Sequence, residues 1–311
     1  MGFMTTAFIT HAACAKHEMG AWHPECPERL AAISDQLISS GLTPFLMHVE
    51  AVQASNKELA RVHPLSHVQE VLACAPAQGY VSLDADTLMN PHTPEAARYA
   101  AGAVIKAVDL VVNAVAENAF CAVRPPGHHA GSATPMGFCI FNNVAVGVRH
   151  AQAVYGLKRI AVIDFDVHHG NGTEQIFSGD KSVLMCSFFQ HPFYPHSGAS
   201  SPAKNMVNVP VAAGSGGEVI REVFEYHWLA ALEKFKPQMI FISAGFDAHR
   251  EDELANMRLV ESDYVWLTEQ IMVLAKRFCA GRIVSVLEGG YNLSALGRSV
   301  AAHIKSLSGL A

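Results

Sequence analysis

The chain has 311 residues, of which 50% are hydrophobic and 16% charged, and its formal net charge is -6. This composition is typical of a globular protein with a large core, and an acidic balance with no Lys/Arg cluster argues against direct nucleic-acid binding. The seven cysteines form no CxxC pair, which indicates reduced thiols, and no uncharged apolar stretch is long enough for a membrane helix. We therefore expect a cytoplasmic protein with no membrane partner.

Short apolar segments alternate with helical patterns along the chain, as in α/β proteins. The candidate strands are rich in apolar or β-branched residues, as parallel strands covered on both faces should be, and span residues 6–10, 119–123, 159–163, 182–187, 239–243 and 282–287. The clearest candidate helices span residues 27–40, 94–117, 143–155, 218–234 and 262–279. The chain has no internal repeat or linker-like segment, so we predict one doubly wound α/β domain over residues 1–311.

Unusual turns follow five of the candidate strands. In chain order they read RPPGHHAG, DFDVHHGNG, SFFQHPFYPHSG, SAGFDAH and LEGGYN. The carboxyl ends of parallel strands meet at one edge of a sheet, where open α/β sheets bind ligands. We expect these turns, although separate in sequence, to form one site at that edge.

The turn DFDVHHGNG predicts a metal site. In an extended chain alternate side chains share a face, so Asp164, Asp166 and His168 would point the same way. Two carboxylates and an imidazole on a buried face are costly unless a cation holds them. Oxygen and nitrogen ligands suit zinc, and a catalytic zinc needs three protein ligands and a position left for water. Asp166 and His168 supply two ligands, and Asp247 in SAGFDAH is placed to supply the third.

Two other turns carry groups for acid-base chemistry. His128 and His129 follow a rigid Pro-Pro-Gly segment. An imidazole titrates near neutrality, so it can take a proton from water and return it to a leaving amine. Tyr291 follows two glycines in LEGGYN, and from this turn its phenol is placed to donate to an oxyanion.

Taken together and in this order, RPPGHHA, GFCIFNN, DFDVHHGNG, SAGFDAH and EGGY resemble the zinc-dependent histone deacetylase family, including its bacterial amidohydrolases. The resemblance extends from HPECPERL at His23 to EGGY. It implies the arginase/deacetylase α/β fold, with a mostly parallel sheet, helices on both faces and the active site at the C-terminal strand ends. It also implies hydrolysis of the N-acetyl amide of acetyl-lysine, or of a related acylated amine, to acetate and free amine.

The resemblance assigns zinc to the three ligands already inferred. It implies that His129 is the general base and acid, that His128 is an electrostatic helper and that Tyr291 is the oxyanion donor. It also implies that Asn171 orients His129 and that Asp164 orients His128. Asn171 stands where the class I pattern has Asp, and so resembles the class II pattern. An amide beside His129 should leave that imidazole less basic than a carboxylate would.

The resemblance also implies a substrate tunnel and a second cation. Phe138, which follows Gly137 in GFC, and Tyr194 in PFYP match the two aromatic walls that enclose an acyl-lysine. The family usually has Phe where Tyr194 stands, so this hydroxyl is a departure that bears on substrate preference. A potassium site would be built from Asp164, Asp166, His168 and the backbone around Ser187.

The sequence is also compatible with three other functions, and with a homo-oligomer. An acetylpolyamine amidohydrolase shares every zinc residue but can use an acidic gatekeeper, and Leu254 stands at the matching position, beside Glu251, Asp252 and Glu253. A two-manganese ureohydrolase would need additional bridging carboxylates. A non-catalytic acyl-lysine binder would be expected to lack a ligand, the histidine pair or the tyrosine, and all of these are present.

Overall fold

A computed structural model describes residues 4–200 and 203–310; the remaining residues of the predicted domain 1–311 lie outside this description. The strands are β1 (Thr6–Thr10), β2 (Leu46–Glu50), β3 (Val81–Ser82), β4 (Leu88–Met89), β5 (Asn118–Cys121), β6 (Ile160–Asp164), β7 (Val183–Gln190), β8 (Met206–Val211), β9 (Met239–Ala244) and β10 (Ile283–Leu287). Eight of them form a parallel sheet in the order β2-β1-β5-β10-β9-β6-β7-β8, and β3 pairs antiparallel with β4.

The helices are α1 (Glu28–Ser39), α2 (Asn56–Leu59), α3 (Leu65–Ala73), α4 (Thr93–Val112), α5 (Asn143–Tyr155), α6 (Asn171–Phe177), α7 (Gly217–Val223), α8 (Leu229–Phe235), α9 (Glu261–Phe278) and α10 (Leu293–Leu307). Asparagine side chains begin two of them, because the side-chain oxygens of Asn142 and Asn292 accept hydrogen bonds from otherwise unpaired N–H groups of α5 and α10. None of the helices in the described residues is long and apolar enough to cross a membrane.

Helices cover both faces of the sheet, and the strands are apolar on both faces as a result. In β6, Ala161 and Ile163 pack into one core with α1, α9 and α10, whereas Ile160 and Val162 pack into the other core with α4 and α5. This alternation follows from the two-residue repeat of an extended chain. The predicted fold, a single α/β domain with a mostly parallel sheet between helices, is confirmed.

All six predicted strands are present, but the two outermost strands, β2 and β8, were not predicted. Both lie at an edge of the sheet and carry partly exposed positions, and β8 contains Pro210, so neither has the continuous apolar pattern of a central strand. The predicted helix 94–117 ends at Val112. The predicted helix 218–234 is interrupted by a π-helical turn, Phe224–Trp228, between α7 and α8.

Candidate active site

The five unusual turns meet at the carboxyl edge of the sheet, around a cavity of about 200 Å³. The cavity is lined by Asp86, His129, Gly137, Phe138, His168, Phe193, Tyr194, Leu254 and Tyr291. Seven of these nine residues were predicted from the sequence to belong to the site. Asp86 and Phe193 were not.

Below the cavity, two carboxylates and an imidazole converge on one point. His168 Nδ1 lies 3.1 Å from Asp166 Oδ1 and 3.1 Å from Asp247 Oδ2. One ligand atom from each of the three residues lies within 4.8 Å of the others. Ligand atoms of a tetrahedral zinc site, with bonds of about 2.0 Å, are separated by roughly 3.3 Å. The three predicted ligands are therefore close enough together to bind one metal ion.

Alternation along the turn after β6 produces this convergence. Phe165 and Val167 lie in the apolar core, while Asp164, Asp166 and His168 lie on the other side of the backbone, as the sequence predicts. Glycine allows a second turn to approach closely, since the Gly289 N–H donates to Asp166 Oδ2 at 2.9 Å. A Cβ at Gly289 would lie 2.0 Å from an Asp247 carboxylate oxygen, so a larger residue there would displace the ligand.

The electrostatics of the three residues favour a cation between them. Burial, with the neighbouring charge of Asp166, raises the pKa of Asp247 to about 7. Burial opposes protonation of His168, but its hydrogen bonds with Asp166 and Asp247 outweigh this effect and raise its pKa to about 10. A divalent cation would supply more charge at this point and leave the His168 nitrogen free to act as a ligand.

His129 lies beside this group with its other ring nitrogen held in place. Its Nδ1 is 2.7 Å from Asn171 Oδ1, and the Asn171 amide nitrogen donates to the sulfur of Met136 at 3.2 Å, which directs the amide oxygen toward the imidazole. An N–H at Nδ1 leaves the lone pair on Nε2 free to accept a proton. Burial, followed by the nearby His128 and His168, lowers the pKa of His129 well below its ordinary value. The imidazole is therefore neutral at physiological pH.

His128 is in the opposite environment, although its ring centroid is only 4.0 Å from that of His129. Its Nδ1 lies 3.1 Å from Asp164 Oδ2 and its Nε2 3.8 Å from Asp166 Oδ2. Burial disfavours the charged ring, but these carboxylates outweigh burial and raise the pKa of His128 well above its ordinary value. The buried carboxylate of Glu288 holds the turn by accepting the N–H groups of Gly127 at 2.7 Å and His128 at 3.1 Å.

Tyr291 lines the cavity on a turn that is held in place by a network of buried charged side chains. The Arg29 guanidinium lies 5.1 Å from the centre of the Tyr291 ring and donates to the carbonyl oxygen of Gly290 at 2.7 Å. Arg29 also donates to Glu25 at 3.0 Å, and Glu25 accepts from Arg124 at 2.7 Å. All three charged side chains are fully buried. This network joins the start of α1 and the end of β5 to the Tyr291 turn.

This network predicts a pH-dependent loss of stability. Burial alone would raise the pKa of Glu25, but Arg124 and Arg29 outweigh burial and lower it to about 2. Because the folded-state pKa lies below the ordinary value near 4.5, Glu25 stabilises the fold above pH 4.5, and this contribution is lost as the pH falls toward 2. At pH 6 the free energy of unfolding of the wild type should be about 3–5 kcal/mol larger than that of the Glu25→Gln variant.

Urea unfolding of the two proteins between pH 6 and pH 3 measures this difference. Below its ordinary pKa, the advantage of the wild type should shrink by about 1.4 kcal/mol per pH unit. An advantage that stays constant over the whole range would show that the charge of Glu25 is not the stabilising feature.

Aromatic rings form the walls of the cavity above the three candidate metal ligands, Asp166, His168 and Asp247. Tyr194 lies with its ring centroid 5.3 Å from His129, Phe193 stacks on His168 at 5.6 Å, and Phe138 packs edge-to-face on Tyr291 at 5.9 Å. A Cβ at Gly137 would lie 2.5 Å from the His129 ring, so this position admits only glycine. Burial, followed by the nearby Asp86 carboxylate, raises the pKa of the Tyr194 phenol.

Two residues of the predicted potassium site, Asp164 and Ser187, and several charged residues that support the site, do not line the cavity. Ser187 on β7 pairs with Asp164 on β6 in the sheet, and both residues are fully buried; potassium binding there stays a prediction. The sequence analysis assigned no supporting role to five charged residues that hold the turns of the site: Glu25, Arg29, Arg124, Asp252 and Glu288. Glu25 and Arg29 belong to HPECPERL, and Asp252 stands between Glu251 and Glu253, but these residues have hydrogen-bond partners that lie far along the chain and give no local signal.

Residues 23–307 match the family described as the histone deacetylase domain. The chain is 38% identical to the histone deacetylase-like amidohydrolase of Pseudomonas aeruginosa, over 98% of this chain and 86% of that protein. It is 37% identical to the polyamine deacetylase HDAC10 of Mus musculus, over 92% of this chain and 45% of that protein. The crystal structure of the HDA15 HD domain superposes with a TM-score of 0.93 at 37% identity, covering 99% of this chain and 90% of that one. The chain therefore belongs to the histone deacetylase family of hydrolases.

Proposed function

We propose that this protein is a zinc-dependent deacetylase that hydrolyses the N-acetyl amide of acetyl-lysine, or of a related acylated amine, to acetate and free amine. The observation that carries the proposal is the convergence of Asp166, His168 and Asp247 beside a neutral His129 in an aromatic-walled cavity. We extend the proposal to a single catalytic domain over residues 1–311.

Asp166, His168 and Asp247 would hold the zinc ion. When bound, zinc supplies Lewis-acid polarisation of the amide carbonyl. Zinc is favoured over harder cations because an imidazole is one of the ligands, and the ligand set leaves a position for water and substrate. The Gly289 N–H donates a hydrogen bond to Asp166, and the carboxylates of Asp166 and Asp247 are fully buried, so these side chains are held in fixed positions.

His129 would carry the proton through the reaction. Its Nε2 accepts a proton from water as the water oxygen attacks the carbonyl carbon, while Asn171 retains the proton on Nδ1. The imidazolium then gives that proton to the amine nitrogen as the carbon–nitrogen bond breaks. His128, already charged beside Asp164, would stabilise the negative charge of the site and take no proton.

Tyr291 would donate its phenolic hydrogen to the oxyanion that forms on the carbonyl oxygen. Burial, followed by the Asp247 charge, raises the pKa of this phenol well above its ordinary value, so the group stays protonated and able to donate. Arg29 would position Tyr291 through the carbonyl of Gly290.

Phe138 and Tyr194 would enclose the methylene chain of the acylated amine, with Gly137 leaving room at the narrow end. Leu254 is apolar at the rim, which favours acyl-lysine or a broad range of acylated amines. Acetylpolyamines are the second candidate substrates. They are supported by the carboxylate of Asp86 in the cavity wall, which would attract a cationic amine, and by the similarity to a polyamine deacetylase.

Acetate release from an acetyl-lysine peptide and from N-acetylputrescine tests the proposal, with zinc-loaded wild type and a blank lacking enzyme. Preference for the peptide supports an acyl-lysine deacetylase, and preference for the polyamine supports the second candidate. No acetate from either substrate would contradict both, and would favour a non-catalytic acyl-lysine binder. About one zinc per chain would also exclude a two-manganese ureohydrolase, which needs two metal ions.

A further inference from the structure

Asp252 is a buried carboxylate between two exposed ones. Glu251 and Glu253 face solvent, whereas Asp252 is 6% exposed. A run of three acidic residues is ordinarily a solvated surface, so burial of the middle one requires partners for its oxygens. These partners are backbone N–H groups from two different parts of the site.

The two oxygens of Asp252 connect the rim of the cavity to the turn behind Tyr291. Oδ2 accepts the N–H of Tyr291 at 2.6 Å and the N–H of Asn292 at 3.1 Å. Oδ1 accepts the N–H of Leu254 at 3.0 Å. Asn292 begins α10, so the carboxylate also lies at the positive end of a helix.

The turn that carries Tyr291 needs such support. It contains Gly290 at a φ of 121°, a conformation that L residues rarely adopt, and glycine gives it little rigidity of its own. Arg29 holds its carbonyl groups from one side, and Asp252 holds its N–H groups from the other. Of these two residues, Asp252 is the one that also accepts a hydrogen bond from Leu254 at the rim.

We propose that Asp252 is a positioning residue that fixes the Tyr291 phenol for catalysis and ties its position to the substrate rim at Leu254. The inference rests on the proposed deacetylase function. Asp252 does not line the cavity, so its action passes through the backbone of Tyr291. A shift of Tyr291 would weaken a hydrogen bond made in the transition state, which lowers kcat more than it raises KM.

The variant Asp252→Asn tests this role. An amide has one acceptor oxygen, so it can serve the Tyr291 turn or Leu254 but not both. We expect kcat to fall about 10- to 100-fold, as for loss of a buried hydrogen bond to a charged group, and KM to change less than about threefold. In a Tyr291→Phe background the same substitution should have almost no further effect on kcat, because the hydroxyl that it positions is gone.

Asp263→Asn is the matched control. Asp263 is also a buried carboxylate that accepts a backbone N–H near the start of a helix, here Val260 at 3.0 Å, and it does not line the cavity. This variant should lose stability without losing kcat. Hydrogen exchange gives a readout that needs no turnover: the amides of Tyr291 and Asn292 should exchange faster in Asp252→Asn and at the wild-type rate in Asp263→Asn.

These measurements separate failure of the inference from failure of the proposed function. A wild type that releases no acetate contradicts the proposed function, and exchange at Tyr291 and Asn292 then decides alone whether Asp252 holds the turn. Equal loss of kcat from Asp252→Asn with and without the Tyr291 hydroxyl, or unchanged exchange, would overturn the inference. Should Asp252→Asn fold poorly, Asp252→Glu retains the charge but displaces the carboxylate, and a loss confined to kcat supports positioning, whereas wild-type kcat contradicts it.

Discussion

Replacing His129 with alanine should lower kcat/KM for acetate release by about 10²- to 10⁴-fold, the range typical of a general acid-base residue. The assignment depends on protonation. His129 is neutral because burial lowers its pKa, and its Nδ1 is bonded to Asn171, so Nε2 is free to accept a proton. His128 is adjacent, but Asp164 and Asp166 keep it charged, and a charged imidazole has no lone pair to offer.

Steady-state kinetics of His129→Ala, together with zinc content, measures this effect. His67→Ala is a suitable control because His67 is also largely buried but lies on α3, away from the cavity. The control should keep wild-type kcat/KM. If His129→Ala binds zinc and retains more than a tenth of the activity, a group other than His129 must accept the proton, and the assignment of His129 as general base would be wrong.

The convergence of the three candidate metal ligands, Asp166, His168 and Asp247, was predictable because two local rules determine where they lie. Alternation along an extended segment sets the directions of Asp166 and His168, and the common edge of a parallel sheet brings Asp247 to them. Tyr291 and the histidine pair follow from the same sheet-edge argument. Central strands were predictable for a related reason, since burial on both faces leaves a continuous apolar pattern.

The supporting residues were not predictable because their partners are distant in sequence. Arg29 reaches Gly290 across 261 positions, and Arg124 reaches Glu25 across 99. A buried Asp252 cannot be distinguished from its exposed neighbours in a charged run, and Asp86 reads as an ordinary loop carboxylate until the fold brings it to the cavity wall. Sequence thus identifies groups that perform chemistry more readily than groups that hold them in place.

Replacing Tyr291 with phenylalanine should lower kcat by about 10²- to 10³-fold, as expected for the removal of one oxyanion donor. The ring is retained, so its packing against Phe138 and beneath Arg29 should persist and KM should change little. The loss should therefore reside in the transition state.

Steady-state kinetics with the preferred acylated amine checks this result, and Tyr155→Phe is the control, because it removes a hydroxyl that donates to Asp109 far from the cavity. That control should leave kcat unchanged. A Tyr291→Phe variant with wild-type kcat would mean that the oxyanion is stabilised without the phenol. A rise in KM at unchanged kcat would instead assign the hydroxyl to substrate binding, because a contact made equally in the ground state and the transition state affects binding alone. Only a loss in kcat places the hydrogen bond on the charge that develops during the reaction, and so links the turn held by Arg29 and Asp252 to the chemical step.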